Sequence, residues 1–122
     1  MAIGDMIAFE VINAQIDKVM REAIVITSQQ NEKFREKNVD TSGFTIDSSV
    51  SYEEVTEFAR KSDQYCSMRL WQWSIVCYAL RHKVPIVTND ACMHKMAKKY
   101  GCISYSPTEC IRIMKERSLA MT

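Results

Sequence analysis

Between Ser67 and Arg117 the sequence alternates helix-like and strand-like apolar patterns, and that alternation confines the chain to a small set of folds. The segment Ser67–Lys83 has helical character, and its stretch Trp71–Leu80 is apolar nearly all round, broken by Gln72 and Ser74. A helix of that kind sits inside the fold or under a partner subunit. Val84-Pro85-Ile86-Val87-Thr88 then reads as a strand, with Pro85 near its start, where a missing donor is tolerated. Asn89-Asp90 closes it, and Ala91–Tyr100 forms a helix stopped by Gly101. Cys102–Tyr105 is a second strand, and Ser106-Pro107-Thr108-Glu109 caps a last helix reaching about Arg117. Strands separated by helices imply right-handed crossovers and a small parallel sheet covered on both faces, a three-layer α/β architecture.

The first half is read differently. Phe9, Ile12, Ile16, Val19, Ala23 and Ile26 follow one another at steps of 3, 4, 3, 4 and 3. This stripe predicts a long N-terminal helix from Asp5 to about Lys37, although the β-branched run Ala23–Thr27 also suits a short buried strand. Asn38–Gly43 reads as a loop, and Phe44–Asp47 as a short strand. Ser51 with Glu54 opens a helix over Tyr52–Lys61. The length, 122 residues, fits one domain spanning 1–122.

Composition limits the classes of function. The net charge of +1 supplies no global field for nucleic acid and leaves room for a local patch. Cys66, Cys77, Cys92, Cys102 and Cys110 are odd in number and include no C-x-x-C pair, which predicts free thiols in a reducing, cytoplasmic setting. No apolar run approaches a membrane span, and the N-terminus carries no signal pattern. Cys92 and His94 lack the partners and spacing of a zinc site, and the three glycines form no phosphate loop.

The chemistry centres on Asp90. In an open parallel sheet, ligands bind beyond the carboxyl ends of the strands, where this residue emerges. Carboxylates meeting there make a hard oxygen site for Mg²⁺ or Mn²⁺, and such an ion neutralises charge on a phosphodiester. The same Thr-Asn-Asp run before a helix also describes an ordinary N-cap.

The apolar helix Ile75–Lys83, the strand and acid Pro85–Asp90, the helix stopped by Gly101, and the Ser-Pro-Thr-Glu start together resemble the C-terminal half of a PIN domain, over about Arg69–Met114. PIN domains are metal-dependent ribonucleases, so the resemblance implies an endoribonuclease acting on RNA with Mg²⁺ or Mn²⁺. It implies Asp90 as a catalytic and metal-binding acid. Glu10 is matched to the family's helical glutamate, Asp63 is the nearest upstream aspartate, and Asp47 is a candidate strand-end ligand. The chain departs from the family at two places. Gln72 stands where an aspartate is usual near the start of the helix. The first strand ending in an aspartate is not evident, so either that strand is missing or the architecture persists without intact catalysis.

Each supporting acid also has a plain structural role. Glu10 can be a solvated helix residue, Asp47 can cap the Asp47-Ser48-Ser49 turn, and Asp63 can be a surface charge. Lys95, Lys98 and Lys99 are candidate backbone-neutralising residues, or complements to a helix dipole. The alternative function is a catalytically degenerate PIN-like binding or assembly module. In that reading the N-terminal stripe and the Trp71–Leu80 helix bury against another copy, most simply in a homodimer.

Overall fold

The computed structural model describes residues 1–16, 18–62 and 68–120. In chain order the elements are β1 (Ala2–Ile3), α1 (Met6–Gln15), α2 (Lys18–Arg21), β2 (Val25–Thr27), α3 (Ser28–Glu36) and β3 (Thr45–Asp47), then α4 (Tyr52–Lys61), α5 (Leu70–His82), β4 (Ile86–Val87), α6 (Ala91–Lys99), β5 (Ser104–Tyr105) and α7 (Pro107–Ala120). The five strands form one sheet in the order β3-β2-β1-β4-β5, with every pairing parallel.

Strand alternation divides the core into two layers. Ala2 and Ile86 face Trp73, Ile75, Val76, Ala79, Met93 and Met96 of α5 and α6, with Val55 of α4 in the same cluster. Ile3, Ile26 and Val87 face Phe9 and Ile12 of α1, Phe34 of α3, and Ile111 and Met114 of α7. The sheet is therefore sandwiched between helices, as the second half of the sequence predicts. α5 packs against α3, α4, α6 and the three inner strands. Its all-round apolar surface is accounted for within this one chain.

The long N-terminal helix is corrected. α1 ends at Gln15, and Ile16 has extended backbone. Val25, Ile26 and Thr27 then enter the sheet as β2, between β3 and β1. Val25 N–H donates to Met1 O at 2.8 Å, and Thr45 N–H donates to Ile24 O at 3.1 Å. Pairing on both sides satisfies the backbone as fully as a helix would, and β-branched side chains suit it better. The stripe held false members: Ala23 is exposed, and its neighbour Ile24 is completely buried. A first strand not evident in the sequence is present: Ala2–Ile3 lies at the centre of the sheet between β2 and β4.

Gly4 follows directly. A Cβ there would lie 2.6 Å from Thr88 Cβ and 2.9 Å from Val87 O. Glycine is what lets β1 and β4 approach, with Gly4 N–H donating to Val87 O at 2.6 Å. At Gly101, a φ of +76° ends α6 as predicted. Because the clash at Gly4 involves backbone, Gly4→Ala is expected to destabilise the fold by about 1–3 kcal/mol. Urea denaturation checks this, and an unchanged midpoint would mean that the two strands are free to part.

Candidate functional site at the β1–β4 edge

The chain winds from β1 outward to β2 and β3, then crosses back to β4 and β5 on the other side. The crossing direction reverses between β1 and β4, and a crevice opens at such a switch point beyond the carboxyl ends of the strands. Each of those two strands is followed by an aspartate, Asp5 after β1 and Asp90 after β4.

Asp5 is 9% exposed and heavily engaged. Its Oδ1 accepts Ala8 N–H at 2.7 Å, which caps α1. Its Oδ2 accepts the Thr88 hydroxyl at 2.5 Å and Asn89 N–H at 2.7 Å, both from the end of β4. A carboxylate offers about four lone-pair positions, so roughly one remains. The Thr88 hydroxyl also accepts Asp90 N–H at 3.0 Å, and a single side chain thus connects the two acids.

Asp90 is half-buried and caps α6, with Oδ1 accepting Cys92 N–H at 3.3 Å. Its Oδ2 faces Gln72, whose Nε2 donates at 3.4 Å. Both bonds are long, so the Asp90 oxygens keep capacity for another partner. Gln72 is fixed from its other end, where its Oε1 accepts Arg69 N–H at 2.9 Å. Gln72 therefore reaches Asp90 with an amide.

Behind these residues the edge is polar and closed. Thr27 at the end of β2 shares a 2.7 Å hydrogen bond with Ser74 of α5. Gln30 is fully buried, and its Nε2 donates to Ile3 O at 3.0 Å. Trp71 lies over the edge between the two core layers, with its ring 6.2 Å from Phe34.

The other candidates are placed elsewhere. Glu10 is exposed on α1, more than a turn beyond Asp5. Asp47 ends β3, separated by β2 and β1 from β4, so its backbone is on the order of 14 Å from that strand. It accepts Ser49 N–H at 2.9 Å, the turn-capping role available to it. Asp63 lies outside the described residues. Among the described residues no three His, Cys, Asp or Glu side chains gather as metal ligands, so Asp90, Glu10 and Asp47 do not form one centre.

Lys95, Lys98 and Lys99 are exposed on α6, but that helix runs away from Asp90. Lys98 and Lys99 fall roughly 12 Å along its axis, in the last turn, where they complement the dipole. Lys99 Nζ lies 5.7 Å from the centre of the Tyr100 ring. The lysines do not surround the acids.

Burial pushes the Cys77 and Cys110 thiols up to about 11, which leaves them un-ionised near neutrality. A cavity of about 460 Å³, lined by Leu80, Val84, Pro85, Cys102 and Ile103, opens at the opposite end of β4 and β5, away from both acids. No helix among the described residues is long and apolar enough to cross a membrane.

Sequence reasoning missed Asp5, which it treated as the opening of a helix. The available signal was the apolar pair Ala2-Ile3 followed by glycine and an acid, a pattern too short to show periodicity. The two aspartates make different contributions to stability. Asp5→Ala would leave three donors without an acceptor and is expected to cost at least about 3 kcal/mol. Asp90→Asn keeps a good N-cap and is expected to change stability by less than about 0.5 kcal/mol. Thermal denaturation of both variants checks the contrast, and equal losses would contradict it. No protein-family model matches the chain, and neither a curated protein nor a solved structure is similar to it.

Proposed function

We propose that this chain is a PIN-like domain that cleaves RNA phosphodiesters with Mg²⁺ or Mn²⁺ held by Asp5 and Asp90. The observation carrying this reading is that both acids leave adjacent inner strands at the switch point and are joined through Thr88. A first strand ending in an aspartate is the feature whose apparent absence weakened the resemblance, and Asp5 fills that place.

The donor set fits a hard cation. Carboxylate oxygens suit Mg²⁺ or Mn²⁺, and Mg²⁺ is commonly bound through one or two carboxylates together with substrate phosphate and water. When bound, such an ion neutralises phosphodiester charge and makes a coordinated water more acidic. The chain itself supplies orientation. Asp5 fixes the ends of β1 and β4, Thr88 sets the spacing of the acids, and Gln72 holds the Asp90 carboxylate from one side.

One observation favours the second reading, a PIN-like scaffold without catalysis that acts by binding. Gln72 stands in the place of an acid, and its amide occupies Asp90. Two substitutions separate the readings. With Mn²⁺ and a single-stranded RNA, the wild-type protein is expected to cleave, and Asp90→Asn, which removes a direct ligand, is expected to lower the rate by more than the roughly 100-fold that loss of an outer-shell partner costs. Gln72→Asp adds a third carboxylate and is expected to tighten Mn²⁺ binding about tenfold. Cleavage that persists unchanged in Asp90→Asn would refute the assignment of the site. Cleavage seen with Gln72→Asp but absent from wild type would establish the second reading.

A further inference from the structure

A small mixed cavity of about 230 Å³ lies beside the first turn of α5, lined by Gln29, Glu32, Lys33, Glu36, Tyr52, Arg69, Leu70 and Trp71. Pockets for drug-sized ligands usually span 300–1,000 Å³, so this one suits a single planar ring system. Its walls combine ring surface with hydrogen-bonding groups. Tyr52 is 49% exposed and Leu70 44%, unusual values for large apolar side chains. The Trp71 indole N–H is buried and has no acceptor among the described residues. A buried donor left unpaired costs free energy.

The charges along the cavity are arranged unequally. Lys33 pairs with Glu36 at 3.5 Å, and the Tyr52 hydroxyl donates to Glu32. Arg69 is exposed and forms no salt bridge among the described residues. A hydrogen-bonded side chain links the cavity rim to one of the acids: Gln72 accepts Arg69 N–H at one end and donates to Asp90 at the other.

We infer that this cavity binds a nucleobase of the RNA strand, with the Arg69 guanidinium taking the adjoining phosphate and so directing the next phosphodiester toward Asp5 and Asp90. This rests on the proposed nuclease reading and adds the residues that seat the substrate. Tyr52 supplies a stacking face, which tolerates any base. The Glu32 and Glu36 carboxylates accept hydrogen bonds only, and so favour a base edge rich in donors, as in guanine. Arg69 matches phosphate with its planar fork of donors. It fills the role that Lys98 and Lys99 are too distant to fill.

The test is nucleotide binding without turnover. Titration of 5′-GMP into the protein in the absence of divalent metal, read by tryptophan fluorescence, is expected to show saturable quenching. The quenching should be lost in Trp71→Phe and retained in Trp73→Phe if that variant folds. Tyr52→Ala is expected to weaken binding about tenfold. Arg69→Ala should do likewise and flatten the salt dependence, and 5′-UMP should bind about tenfold more weakly than 5′-GMP. Tyr52 and Arg69 are both exposed, so neither variant threatens the fold. Saturable binding together with an Asp90→Asn protein that cleaves like wild type would overturn the nuclease site and leave the base pocket standing. No quenching by 5′-GMP, or equal binding by wild type, Tyr52→Ala and Arg69→Ala, would overturn the pocket whatever the cleavage assay shows.

Discussion

The Asp5 carboxylate is the joint on which the molecule closes. The first strand is only two residues long and makes few ladder hydrogen bonds of its own, yet it occupies the middle of the sheet. Asp5 compensates by binding the first turn of α1 with one oxygen and the end of β4 with the other. Gly4 permits the approach and Thr88 receives it. A charged acceptor serving three donors in a nearly dry setting is worth more than the same bonds in water. It brings together two strands 83 positions apart in the chain.

The second half of the fold was legible in the sequence because each of its elements carries two independent signals. Val84–Thr88 is apolar and bounded by proline and Asn-Asp, and Gly101 and Ser106–Glu109 mark a helix end and a helix start. The structure places β4, α6, β5 and α7 accordingly. The N-terminal half was misread because its signals conflict. Phe9 and Ile12 are true helical neighbours on α1, and the 3–4 spacing continues by coincidence through Ile16, Ala23 and Ile26, out of the helix and into a strand. Buried strands in a parallel sheet carry no alternation to oppose that coincidence. A two-residue strand such as Ala2–Ile3 has no period at all, and what identifies it is a partner, β4, that only the folded chain supplies.

The site was legible to the same degree. Asp90 was visible because a strand points to it, and Gln72 because it sits where an acid is expected. Asp5 was hidden with its strand. Glu10 and Asp47 were attractive only as charges near candidate elements, and their places in the fold separate them from the crevice. On the proposed function, two acids linked by a threonine would leave more of a cation's coordination to water and substrate than a dense acidic cluster does, so binding should be weak without RNA and stronger with it. In that case contacts at Arg69 and the neighbouring cavity would help to hold the reacting group in place.

The account turns on whether Asp5 and Asp90 act together on one cation. The direct measurement is an NMR titration with Mn²⁺, whose paramagnetism broadens amide signals according to distance. The account predicts early and selective loss of the Gly4–Met6 and Asn89–Cys92 amides, with Gln72 following, and no such loss for Gly4–Met6 in Asp90→Asn. Broadening confined to exposed acids such as Glu53 and Glu54, or the same profile in wild type and Asp90→Asn, would contradict it.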